Sequence, residues 1–212
     1  MKSRTQEQRA RGLLQERGMV RLSEFKTHGI TAATLSRMIA KGILQRLARG
    51  LYQLADAEFD INHSLAEAAK LVPKGVICLT SALAYHELTD TIPAQIWMAI
   101  GPKDRKPSIS VPPVRFVRFR EPLLQTGIEE HLIEDVPVRI YSPAKTVVDL
   151  FRYRQSEGRR YKNSPGTSTA IEGLRETLKK RKATPSEIAS FAVDAGIWKV
   201  VQPYLETVIA DA

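Results

Sequence analysis

The chain has 212 residues, 43% of them hydrophobic and 26% charged, with a net charge of +9. That length and balance admit one large domain or two small ones around a sizeable core, and exclude a disordered or low-complexity protein. A lone cysteine, Cys78, excludes an intrachain disulfide framework; no apolar signal core and no run near the ~20 residues that span a bilayer lead to the expectation of a soluble, cytoplasmic protein.

In chain order, residues 5–17 predict a helix with Ala10, Leu13 and Leu14 as its inner stripe and Gly18 as its stop. Ser23 is expected to cap a short second helix through Thr27, Gly29 to make a sharp turn, and Thr31 to cap a third helix ended by Gly42. Leu35, Met38 and Ile39 are assigned to the inner face of that helix. Residues 43–54 read as a hairpin around Ala48-Arg49-Gly50. Helix, helix, glycine turn, helix, hairpin is the order of a winged helix-turn-helix, expected over 1–54. The same segment holds 11 Lys or Arg against 3 Asp or Glu, a net of +8. Clustered cations release condensed counterions from a phosphate backbone, so the segment suits nucleic acid; a merely solvated basic surface is the plain alternative.

Residues 55–60 (ADAEFD) form an acidic joint. Beyond it, 61–212 predicts a second, mixed α/β domain. Its expected elements are a helix at 61–72, a buried strand at Val76–Leu79, and a helix capped by Thr80. Strands follow at 92–100, 114–119 and 136–141, then a helix from Pro143. Residues 155–168 read as a polar loop, and helices at 169–181, 185–195 and 197–209 close the chain. The fold class is therefore α+β with a helical C-terminal end.

In a helix-turn-helix the second helix of the motif enters the major groove. Here that leaves Thr31, Thr34 and Arg37 on the outer face, with Arg37 able to fork onto guanine and Thr onto a thymine methyl or a phosphate. The wing residues Arg46 and Arg49 are expected on the phosphate backbone or minor groove, and Lys41 on the backbone. Arg115, Arg118 and Arg120 form a second basic strip for DNA or a partner, or else guard an edge strand. Lys145 and Asp149, four apart, read as a surface ion pair worth a few tenths of a kcal/mol. Tyr85 and His86 read as interior or partner-facing groups. No His pair has the spacing of zinc ligands and no CxxC occurs, so no metal is expected. No phosphate-binding glycine loop, serine elbow or carboxylate cluster occurs either, so neither an enzyme nor a cofactor is expected.

Three stretches resemble the AbiEi-type antitoxins of bacterial abortive-infection, type IV toxin–antitoxin systems. They are the N-terminal module closing on Arg49-Gly50-Leu51-Tyr52, the segment from Gly75 to Thr89, and Tyr141-Ser142-Pro143-Ala144-Lys145-Thr146-Val147-Val148-Asp149-Leu150-Phe151. Their order and spacing run from about residue 5 to 152; members often have Arg where this chain has Lys145. The resemblance implies a DNA-binding antitoxin and autorepressor of its own operon, acting in phage defence. It implies two partners: double-stranded operator DNA, and a nucleotidyltransferase-like toxin that the C-terminal domain counters. The alternatives are a stand-alone winged-helix regulator whose second domain binds a ligand or oligomerises, and a nucleic-acid-processing enzyme.

Overall fold

The computed structural model describes residues 4–153 and 165–210, and the fold is α+β with mixed sheets. The chain forms two compact units. One comprises 1–74 with 107–112 and 130–138; the other comprises 75–106, 113–129 and 139–212.

The N-terminal unit holds α1 (Gln6–Arg17), β1 (Met19–Arg21), α2 (Leu22–Thr27), α3 (Ala32–Ala40), β2 (Leu44–Ala48), β3 (Leu51–Leu54) and α4 (His63–Leu71). Its local chemistry explains its boundaries. The Thr5 hydroxyl accepts from Gln8 N–H while the Gln8 side chain accepts from Thr5 N–H, a reciprocal cap that starts α1. Gly18 ends α1 at φ +61°. The expected Ser23 cap is not made. The cap is Arg21, two residues earlier, and the Glu24 carboxylate reaches back to its N–H at 2.8 Å. Residues 19–21, which the sequence left unassigned, pair antiparallel with β3 and complete a three-stranded sheet ordered β1-β3-β2. The Arg46/Ala48 register shift bends β2 before the Gly50 turn. Leu14, Phe25, Ile30, Leu35 and Met38 fill the core, with Phe25 edge-on to Tyr52 at 5.9 Å. Each such side chain contributes about 1.5–3 kcal/mol by leaving water.

Residues 130–138 enter this unit as a hairpin tip whose turn residues, Glu134 and Asp135, both have positive φ, as a two-residue turn of the primed type requires. The half-buried Glu134 carboxylate accepts from Gln53 Nε2 (3.0 Å), Asp60 N–H (2.7 Å) and His63 Nδ1 (2.8 Å). One side chain thus ties β3, the acidic joint and α4 together.

The second unit is built on β4 (Val76–Ile77), α5 (Leu79–Tyr85), β5 (Ile96–Ile100), β6 (Val114–Arg118) and α6 (Pro143–Tyr153), with the start of β7 (Ile128–Ile133) and the end of β8 (Val136–Tyr141), whose other residues belong to the 130–138 segment of the first unit. Helices α7 (Thr167–Lys179), α8 (Pro185–Asp194) and α9 (Trp198–Ala210) complete it. The sheet order is β6-β5-β4-β8-β7; β4 runs antiparallel to β5 and parallel to β8, and β5 runs parallel to β6. Strand β7 was not anticipated, because its Ile-Glu-Glu-His-Leu-Ile sequence lacks an apolar alternation. The expected Thr80 cap is also corrected: α5 starts at Leu79, so Thr80 lies inside its first turn. Most of the loop expected at 155–168 lies outside the described residues, and its last two residues open α7. The helices pack through Leu83, Val147, Leu150, Leu174, Ile188 and Val201. Gly173 lets α7 come close: a Cβ there would stand 2.8 Å from Leu83 Cδ1.

Lys145 and Asp149 are not on the surface. They are 1% and 0% exposed by side chain, joined ammonium to carboxylate. The Lys145 ammonium lies 4.6 Å from the Tyr141 ring centre and 5.0 Å from that of Phe119, and those two rings stack at 5.6 Å. Burial pushes the Asp149 carboxyl above its ordinary range, although Lys145 pulls it down. Burial likewise pushes the Cys78 thiol well up, which keeps it a neutral core group. His86 is interior too, with Nε2 at 2.8 Å from the Tyr141 carbonyl.

Candidate nucleic-acid interface

Helix α3 owes its position to α1. The amide oxygen of Gln6 accepts from Thr31 N–H (3.1 Å), Thr31 Oγ1 (3.2 Å) and Thr34 Oγ1 (2.7 Å). Thr31 also caps α3, its hydroxyl accepting from Thr34 N–H at 3.3 Å. At the far end of α3 the Lys41 ammonium pairs with Glu7 at 3.0 Å. The Arg9 guanidinium donates to the His28 and Gly29 carbonyls at 3.2 and 3.5 Å, bracing the turn that precedes α3. One turn of α1 therefore sets both the start and the end of α3, before any ligand arrives.

This arrangement corrects the assignment of the outer face. Thr34 is 5% exposed and spent on Gln6, so it faces inward. Ile39, assigned inward from sequence, is 36% exposed. The exposed face of α3 carries Ala32, Ala33, Ser36, Arg37, Ile39 and Ala40, and Thr31 stands exposed at its start. Arg37 is exposed, with Nη2 resting on Thr34 Oγ1 at 3.2 Å. A helix with methyl-sized residues beside one arginine can approach a base-pair edge closely and place a guanidinium there. On the hairpin, exposed Arg46 folds back through Nε to the Ala48 carbonyl at 3.2 Å, and Arg49 stands exposed in the turn. Gln6 was missed from sequence; its partners lie 25 and 28 residues away, beyond any local pattern.

The second strip separates into three roles. Arg118 forks onto the carbonyls of Gly101 (2.7 Å), Pro102 (2.8 Å) and Asp104 (3.0 Å), so it shapes the 101–104 loop. The Arg115 guanidinium carbon lies over the Trp97 indole, 4.4 Å from the ring centre. Arg120 is exposed.

No helix is long and apolar enough to cross a membrane among the described residues. A search of the curated proteins finds no match. Among solved structures, the chain is similar in fold to the RV2827C protein from Mycobacterium tuberculosis: TM-score 0.63 and 12% identity, over 98% of this chain and 78% of that one. A family model described as "Transcriptional regulator, AbiEi antitoxin" matches residues 8–55, the span from α1 to the end of the hairpin. The match lies within the N-terminal unit, and over that segment the chain is similar to the AbiEi antitoxin family of transcriptional regulators.

Proposed function

We propose that residues 1–54 act as a winged helix-turn-helix that binds operator DNA, and that the protein is the antitoxin and autorepressor of a type IV toxin–antitoxin operon, countering a nucleotidyltransferase-like toxin in the cytoplasm. The observation that carries this reading is α3 itself, clamped by Gln6 and presenting Ala33, Ser36 and Arg37 from a segment of net charge +8. In this reading α3 lies in the major groove, Arg37 reads a base, and Ala33 and Ser36 let the helix seat deeply. Thr31 and Lys41 contact phosphate at the two ends of α3, while Arg46 and Arg49 on the wing follow the backbone or minor groove. The matched family supports a regulator; the toxin partner follows from the name of that family.

The test is a binding titration of the full chain on the DNA upstream of its own gene. Affinity should fall steeply with added salt, because binding releases counterions. Arg37→Ala should cost about 1–3 kcal/mol on the operator and much less on unrelated DNA, the signature of a base contact. Salt-independent binding, or an Arg37→Ala protein that binds operator as wild type does, would refute the assignment. Neutralisation is tested separately by expressing the neighbouring toxin gene with the full chain. Growth should be restored by the wild type and also by Arg37→Ala, since the proposed antitoxin work belongs to the second unit. Rescue lost in Arg37→Ala would show instead that silencing runs through DNA.

A further inference from the structure

Three cations from three elements of the N-terminal unit gather around one carboxylate, and none of them belongs to the surface assigned to DNA above. Arg17 closes α1, Arg21 closes β1 and caps α2, and Lys70 lies in the last turn of α4. The carboxylate they share is Glu24, in the first turn of α2. Its Oε1 accepts from Arg17 Nη1 at 3.4 Å and stands 3.7 Å from the Lys70 ammonium, while its Oε2 accepts from Arg21 N–H at 2.8 Å. The Arg21 guanidinium donates through Nη1 to the Lys70 carbonyl at 3.3 Å, which sets it against the end of α4.

This cluster is short of anions. Three cations face one carboxylate, an excess of two positive charges, in surroundings that water screens incompletely: the Lys70 side chain is 14% exposed, and Arg17, Arg21 and Glu24 are half-buried. Burial pushes the Lys70 ammonium below its ordinary range; Glu24 supports its charge, and Arg17 and Arg21 oppose it. Donors remain in hand. Glu24 takes one N–H of the Arg17 guanidinium and the backbone N–H of Arg21, whereas a guanidinium carries five donors and an ammonium three. The three side chains are already held in place by Glu24 and by the end of α4, so a ligand need not order them.

We infer that the Arg17–Arg21–Lys70 cluster binds a phosphate dianion, either inorganic phosphate or the terminal group of a small phosphate monoester. Two negative charges cancel the excess of two positive ones, and the three terminal oxygens of a monoester give one acceptor to each cation. A carboxylate brings one charge and two oxygens. The phosphodiester of a nucleic-acid backbone also brings one charge and two free oxygens, so the chemistry of this site differs from that proposed for DNA. Bound phosphate joins α1, β1 and α4 through charge-assisted bonds and stabilises the unit that carries α3.

Isothermal titration of the full chain tests this at constant ionic strength and about pH 8, above the second ionisation of phosphate. The probes are inorganic phosphate, glycerol 3-phosphate, dimethyl phosphate and acetate. The first two should bind saturably at one site per chain; tighter binding of the ester identifies a monoester as the ligand, and equal or weaker binding identifies inorganic phosphate. Dimethyl phosphate and acetate should each bind at least about tenfold more weakly, as expected when one charged contact is missing. Arg17→Gln and Lys70→Gln should each weaken phosphate binding by about tenfold. Glu24→Gln keeps an amide oxygen for Arg21 N–H but removes the competing charge, so it should tighten binding, a direction that a merely disturbed fold would not give. Arg37→Ala, on α3, should bind phosphate as wild type does. Four results overturn the inference: no saturable binding of phosphate or its ester at millimolar concentration, the diester binding as well as the dianions, Arg17→Gln and Lys70→Gln both binding like wild type, or loss of phosphate binding in Arg37→Ala. The last would place the anion on the surface proposed for DNA, so this test and the operator titration fail separately.

Discussion

Lys145→Met alone should destabilise the protein by about 3–5 kcal/mol, while the pair Lys145→Met with Asp149→Leu should recover most of that loss. The ammonium is the partner of a carboxylate that is wholly buried, and among the described residues Asp149 Oδ1 has no hydrogen-bond partner of its own. Removing the cation strands the anion, and stranding is what costs; removing both exchanges two desolvated ions for apolar volume between Tyr141 and Phe119. The pH dependence has a definite sign. Burial already raises the Asp149 carboxyl, and loss of Lys145 raises it further. A carboxyl whose folded pKa is raised stays protonated in the folded state after the unfolded chain has ionised. Stability of the single variant is therefore greatest below the ordinary carboxylate range and falls as pH rises through it toward the folded value. Urea midpoints for the two variants across that range would decide the matter. A single variant within about 1 kcal/mol of wild type, or a double variant worse than the single, would show that the pair contributes in some other way.

Gly18→Ala should be the most damaging small substitution in the N-terminal unit. Gly18 sits at φ +61°, and a Cβ there would stand 1.8 Å from the Glu134 carbonyl oxygen and 2.9 Å from its carbon. The left-handed backbone costs an alanine about 1–2 kcal/mol by itself. The contact is with main chain, so the hairpin tip must move, and Glu134 then loses its hold on Gln53, Asp60 and His63. The total should exceed about 3 kcal/mol. Gly42→Ala is the internal control: φ is +68° but nothing lies within 4 Å, so only the conformational cost remains, about 1–2 kcal/mol. Thermal unfolding of the two variants should separate them clearly. Equal losses would mean that the Glu134 contact yields without cost.

Local signals made most of the N-terminal elements readable. Thr5 and Thr31 cap helices whose apolar residues recur at helical spacing, and Gly29 and Gly42 take the left-handed turns that such breaks require. Some errors were local, as at Ser23 and Thr80, but others depend on a partner distant in sequence. Thr34 looked like an outer-face residue until Gln6 drew it in. Lys145 and Asp149, four apart, have the spacing of a solvent-facing pair, and only the stacked rings of Phe119 and Tyr141 reveal an interior site. Strand β1 is three residues long, too short to show a period, and exists because β3 pairs with it. Of the residues proposed to face DNA, Thr31, Arg37, Lys41 and Arg49 are exposed, and Arg46 is exposed but partly engaged with its own wing.

The composition of the N-terminal unit also bears on how the protein is made. Its first 74 residues leave the ribosome well before residues 130–138, which complete the unit. Until then the Gln53 amide, Asp60 N–H and His63 ring have only water where Glu134 will later accept from them. The module proposed to grip DNA is thus finished by residues 130–138, far along the chain from its first element. A nascent chain halted before residue 138 carries every cation of the basic segment but lacks its final brace. Ordering of the regulator's binding unit is thereby coupled to synthesis of much of the second unit, the part proposed to restrain the toxin.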